Sequence, residues 1–367
     1  MRTRRQFIKS AGASSLAMLA VRNAGGQTGV QPPSTVTNPP RDFGPNAPPT
    51  TYSDPDILTV DPAFDALRLG NTPIKRLWTG ALWAEGPAWS AQGRYLVWSD
   101  IPNNRQLRWL EDDDRVTVFR APSNNSNGNT FDFQGRQLSC EHLTRRVVRY
   151  EHDGSITTLA ESINGKRLNS PNDVAPHPDG SYWFTDPPYG RSLYEGRPEP
   201  RELPTAVYRI DKSGAIAQVI GEDQIPDPNG LAFSPDYKTL YVASTGRGPG
   251  DAGPGGKGDV FAVDVNDGRA SSVRRFSDFM IDGVKCSPDG IRCDTTGHVW
   301  CSSNAGRSVG YSGVTVWTPQ GKLIGRIRLP EACANLCFGG QKRNRLFMAA
   351  SQSLYAVYVN TQGAAPG

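Results

Sequence analysis

The sequence predicts an all-β fold: a six-bladed β-propeller of four-stranded blades, preceded by a signal peptide and a Pro-rich tether. Three observations carry this. A short motif recurs six times, β-hairpin patterns follow nearly every copy, and the 367-residue chain is rich in turn formers, with 39 Gly and 30 Pro. Repetition at a period of about 40–60 residues with four strands per unit is the mark of a propeller.

Each copy opens on an oxygen-bearing side chain and reaches a turn eight residues later. The copies begin at Glu85, Asn127, Asn172, Asn229, Asp289 and Asn335, at intervals of 42, 45, 57, 60 and 46 residues. The turns close on Gly93, Gly135, Gly180, Tyr237, Gly297 and Arg343. A β-rich run follows each turn. In most units a second hairpin comes next, with turn sequences such as His152-Asp153-Gly154 and Asn266-Asp267-Gly268. The sixth unit lacks a last strand, so a strand from residues 57–79 is expected to complete that blade and close the ring.

The ends of the chain differ in composition from the repeats. Residues 1–26 carry Arg2, Arg4, Arg5, Lys9 and Arg22 with no acid, then a short weakly apolar stretch from Ala11 to Val21. The paired Arg4-Arg5 before Phe7, Ile8 and Lys9 resembles a twin-arginine (Tat) export signal. It implies the Tat machinery as a partner and a periplasmic or secreted location. Residues 27–56 hold eight prolines and read as a disordered tether, leaving 57–362 as the propeller.

Without the leader, 35 Lys+Arg face 36 Asp+Glu, so the net +4 belongs to the first residues. A near-neutral body offers no electrostatic case for nucleic acid. No run of about 20 apolar residues predicts a membrane-spanning helix. The six cysteines fit no zinc spacing and are expected as buried thiols, with Cys333–Cys337 or Cys293–Cys301 as possible pairs.

In a propeller the innermost strand of each blade lines the central channel. The six motif-opening residues should therefore face one axis at one level. One Asn at a loop-to-strand junction serves its own turn; six oxygen-bearing side chains, two of them carboxylates, suit a hard divalent cation. Ca²⁺ is the first expectation, with Mg²⁺, Mn²⁺ or Zn²⁺ as alternatives. The long connections 186–205, 245–258 and 304–312 fall on the ring side of the blades, where binding loops are expected.

Ala84-Glu85-Gly86-Pro87-Ala88-Trp89, Ser170-Pro171-Asn172-Asp173-Val174, Phe184-Thr185-Asp186-Pro187-Pro188-Tyr189-Gly190, Pro228-Asn229-Gly230 and Pro288-Asp289-Gly290 resemble the SMP-30/gluconolactonase family, in its bacterial gluconolactonase branch. The resemblance spans roughly residues 75–360. It implies a metal-dependent hydrolase that opens a sugar-type (aldono-) lactone. It implies Glu85, Asn172, Asn229 and Asp289 as metal ligands, with Asp289 also the catalytic base. Some members carry an Arg where this chain has Ser170, so sugar specificity does not transfer. Asn127, His142, Arg167 and Tyr189 are the candidate substrate contacts. Another ester or phosphotriester hydrolase on the same scaffold is the alternative enzyme; a ligand-binding propeller without activity is the alternative from a different class.

Overall fold

Six antiparallel sheets, each with four blade strands, follow one another along the chain. The computed structural model describes residues 31–247 and 257–366. Blade one is built from Ala84–Ser90, Tyr95–Asp100, Arg105–Leu110 and Val116–Arg120; blade two from Ser126–Phe131, Gln137–Glu141, Arg146–Tyr150 and Ile156–Ala160. Blade three comprises Val174–Pro176, Tyr182–Asp186, Ala206–Ile210 and Ile216–Gly221; blade four comprises Pro228–Phe233, Thr239–Ser244, Asp259–Asn266 and Arg269–Ser277. Blade five runs Ser287–Cys293, Val299–Asn304, Gly313–Trp317 and Leu323–Arg328. Blade six runs Cys333–Gly339, Arg345–Ala350 and Ser353–Tyr358, and the N-terminal strand Lys75–Thr79 completes it by pairing Lys75 with Ala356. The innermost strands touch in cyclic order, so the ring closes as expected.

Buried apolar clusters fill the seams between neighbouring blades. Trp183 meets Phe233 between blades three and four, and Trp300 meets Phe338 between five and six, with ring centroids 5.6 and 5.4 Å apart. Each such aromatic contributes about 1.5–3 kcal/mol of burial. The seam between blades one and two has a small apolar cluster of Ala88, Val97 and Phe131. A buried polar network complements it: Gln106 Nε2 donates to Ser126, Asn129 and Ser139, and Arg120 donates to Gln106 Oε1 at 2.6 Å. All six cysteines are buried free thiols.

The Pro-rich stretch departs from its expectation. From Pro33 onward it belongs to the same compact unit as the blades. Phe43 joins the apolar core, and the buried carboxylate of Asp56 accepts from Thr35 N, Arg41 and Arg328. Strand Ile57–Thr59 then adds a fifth strand to the outer edge of blade five, pairing Leu58 with Arg326. Composition suggested a tether because prolines dominate. A few charged and aromatic anchors give the segment enough contacts to offset its ordering cost. The expected export leader lies outside the described residues. Among the described residues no helix is long and apolar enough to cross a membrane.

Candidate active site

Five of the six motif-opening residues line one cavity of about 260 Å³ on the axis: Glu85, Asn127, Asn172, Asn229 and Asp289. Two local features accompany four of them, while blade three, which presents Asn172, has neither. The pairing of the innermost strand with its neighbour shifts register at the motif in five blades, between Glu85 and Ala88, Ser126 and Asn129, Pro228 and Leu231, Pro288 and Ile291, and Cys333 and Asn335. Such bulges re-aim a side chain, here away from the strand and toward the channel. The second feature is the glycine after the motif-opening residue. A Cβ on Gly230 would stand 2.2 Å from Asp289 O, and one on Gly86 2.1 Å from Asn127 O. Adjacent blades can approach so closely at the axis only with hydrogen at those positions.

Hydroxyls lock the approach. Ser99 donates to Asn127 O at 2.8 Å, Thr185 to Asn229 O at 2.6 Å, Thr245 to Pro288 O at 2.7 Å and Ser302 to Ala334 O at 2.8 Å. Each bond runs from one blade to the innermost strand of the next.

The ring is acidic and its side chains are largely buried. Burial raises the proton affinity of Glu85 and Asp289; the Asp173 and Glu195 carboxylates raise both further, and Glu85 adds to the rise at Asp289. Asp289 Oδ1 and Asn127 Oδ1 are buried without a hydrogen-bond partner. Unpaired buried acceptors are costly, and carboxylates that repel each other at one site call for a positive charge between them. The donor set is two carboxylates and several amide carbonyls, all hard oxygens. Among the described residues no group of three or more His, Cys, Asp or Glu side chains is placed to hold a metal ion, so the asparagine carbonyls would have to complete the donor set. The residues present thus fit an oxygen-seeking divalent cation.

Asn335, the sixth motif-opening residue, does not line the cavity. It is buried, and its side chain faces the carboxylates of Glu85 and Asp173. Tyr189 does line it, and its hydroxyl donates to Gly246 O at 2.9 Å, tying the 186–205 connection to the next blade's long loop. Most of that Gly-rich loop lies outside the described residues. His142 is buried behind the wall, with Nε2 3.3 Å from Asn127 Nδ2. Burial lowers its pKa to about 4, so the ring is neutral. It contacts a site residue rather than the cavity.

Arg167 is a correction. Its guanidinium is exposed and pairs with Glu199 at 3.2 Å and Thr144 O at 3.0 Å. It braces the 186–205 connection, whose Glu199 also takes Arg145 at 2.6 Å. Trp83 forms an apolar part of the cavity wall with Ile101. Glu195, Thr245, Arg247 and Asn304 also line it. Sequence reasoning passed over all four; their only signal was a place in or beside the long ring-side connections. Glu195 is half-buried, and burial raises its pKa to about 7.

A family model described as the SMP-30/Gluconolactonase/LRE-like region matches residues 83–352. A gluconolactonase from Zymomonas mobilis is 28% identical over 326 residues, covering 84% of this chain and 87% of the relative. The solved structure of a gluconolactonase from Xanthomonas campestris is 37% identical, with a TM-score of 0.72, and covers 83% of this chain and 94% of that one. A calcium-binding regucalcin from Agrobacterium tumefaciens shares the fold at a TM-score of 0.62 and 20% identity, covering 79% of this chain and 94% of that one. The blade order, the axial ring of oxygens and these likenesses agree: the chain belongs to the SMP-30/gluconolactonase family.

Proposed function

We propose that the protein is a divalent-cation-dependent hydrolase that opens a sugar-type lactone to its hydroxy acid at the axial cavity. One observation carries the reading: two carboxylates and three asparagines from equivalent places in five repeats converge on one pocket, with unpaired acceptor oxygens on Asn127 and Asp289. The gluconolactonase relatives supply the reaction class.

Glu85, Asn172, Asn229 and Asp289 would hold the ion. When bound, it supplies a Lewis acid that polarises the lactone carbonyl and stabilises the developing oxyanion. Asp289 Oδ1 accepts a proton from the water as it adds to the carbonyl carbon, and returns it to the ring oxygen as the acyl C–O bond breaks. Asn229, hydrogen-bonded to Asp289, keeps that carboxylate oriented. Asn127 Oδ1 accepts from a substrate hydroxyl, and Trp83 offers an apolar face to the sugar ring. The ring-side loops restrict bulk water around the reacting ester. The leader around Arg4 and Arg5 would route the enzyme through the Tat machinery to the periplasm or beyond.

The test is a titration of acid release from glucono-, galactono- and xylonolactone by the wild-type protein and by Asp289→Asn. Turnover of at least one aldonolactone, reduced about 100-fold or more in the folded variant, is the expected result. Equal turnover by both proteins would refute the assigned base.

A further inference from the structure

A further carboxylate is buried next to the ring, on the residue after Asn172. Blade three carries Asp173 where blades one, two, four and five carry glycine after the motif-opening residue. The Asp173 side chain is fully buried. It accepts from Val174 N at 2.9 Å, and the Asn335 side chain faces both it and Glu85. Glu85 and Asp289 both feel its charge. Left alone, it would make a cluster of three buried anions.

One cation answers it. Arg292, three residues after Asp289 on the innermost strand of blade five, crosses the channel to blade three and places Nη1 3.2 Å from Asp173 Oδ2. The same nitrogen donates to Ile291 O at 2.7 Å, which fixes the guanidinium. Its side chain is 9% exposed, and on the far side it borders a small space closed by Ala364, Ala365 and Pro366. That segment is itself held, with Ala364 N donating to Cys293 O at 2.9 Å. The pair is thus shielded from water, where charge interactions are strong.

We propose that Arg292 is a positioning residue that cancels the charge of Asp173, so that the ring presents two negative charges and is matched to a doubly charged ion. This rests on the reading of the ring as a cation site and goes beyond it by saying what sets the valence. Glu85 and Asp289 remain as the uncompensated anions of the motif-opening ring; Glu195 and Arg247 line the same cavity from the long connections. Asp173 stays a buried support for Asn335 instead of a further ligand charge. Losing Arg292 would leave an extra negative charge next to the ring. An added negative charge favours a trivalent ion over a divalent one, because the attraction scales with ionic charge.

The test measures equilibrium binding of Ca²⁺ by calorimetry and of Tb³⁺ by luminescence. The proteins are the wild type, Arg292→Met, Arg292→Lys, Asp173→Asn and the double variant Asp173→Asn/Arg292→Met. The readout is the ratio of Tb³⁺ to Ca²⁺ affinity. Arg292→Met is expected to raise it about tenfold or more. Arg292→Lys and the double variant, which restore the charge sum, are expected to stay within about threefold of wild type. Asp173→Asn, which leaves the cation unopposed, should weaken Ca²⁺ about tenfold or more. Should Arg292→Met not fold, Asp173→Asn and the double variant decide by the same criterion. A ratio unmoved in Arg292→Met, or Ca²⁺ affinity unmoved in Asp173→Asn, overturns the proposal while leaving the cation site standing. Wild-type protein that binds neither ion overturns both.

Discussion

Asn127 presents its amide nitrogen to His142 Nε2 at 3.3 Å, and its own Oδ1 is left without a partner. A neutral imidazole nitrogen accepts the amide hydrogen, so the carbonyl end is the one free for cavity chemistry. One buried histidine, walled in by Gly190, thereby decides which end of a site amide is available; a Cβ on Gly190 would stand 2.3 Å from the imidazole.

Replacing His142 by Phe should therefore lower kcat/KM about tenfold, because the Asn127 amide loses its orienting partner. His142→Gln, which can still accept from the amide, should retain more activity than His142→Phe. Initial rates on one aldonolactone, with melting curves to verify folding, measure this.

The same histidine gives a pH dependence. Its folded pKa of about 4 lies below the ordinary value of 6.5, so the folded state resists protonation. Its contribution is neutral above pH 6.5, and stability is lost progressively as pH falls from there toward 4. The loss reaches about 3 kcal/mol at full development. Urea unfolding at pH 7.5 and pH 4.5 should show a smaller difference for His142→Phe than for wild type.

Close approach of blades at the axis can be tested without touching a polar side chain. Gly230→Ala would set a Cβ 2.2 Å from the Asp289 carbonyl oxygen. The variant should lose about 1–3 kcal/mol of stability and most of its activity, since blades four and five must part. Gly70→Ala, where a Cβ would meet nothing nearer than 3.7 Å and the backbone is not left-handed, should lose less stability and keep full activity.

The N-terminal arm is the third stability prediction. Asp56 is fully buried between Arg41 and Arg328. Asp56→Asn should cost about 3–5 kcal/mol, as removal of one partner of a buried ion pair does. Thermal melting of the variant beside Asp153→Asn, an exposed turn aspartate, separates a packed arm from a loose tether.

The repeat was legible because it rests on local chemistry. Glu85, Asn127, Asn229 and Asp289 lie at the start of an innermost strand and Asn172 two residues before one, and equivalent strands of a closed ring must share an axis. Asn335 shows the limit: it occupies the same place in the motif, yet does not line the cavity and faces Glu85 and Asp173. Arg167 misled because a basic residue near the motif of blade three cannot be told from one that braces a loop until Glu199 is placed, 32 residues away. Glu195 and Arg247 were not visible because long loops carry no period that fixes where a side chain points. The packed arm was missed for a related reason: Asp56 meets Arg328 across 272 residues, a contact no local composition records.

The most direct measurement is acid release from an aldonolactone before chelation, after dialysis against EDTA, and after return of a divalent ion. The axial ring predicts that turnover disappears with the chelator and returns with the ion, while Glu85→Gln stays inactive throughout. Full turnover after exhaustive chelation, with no bound metal by elemental analysis, would contradict the account.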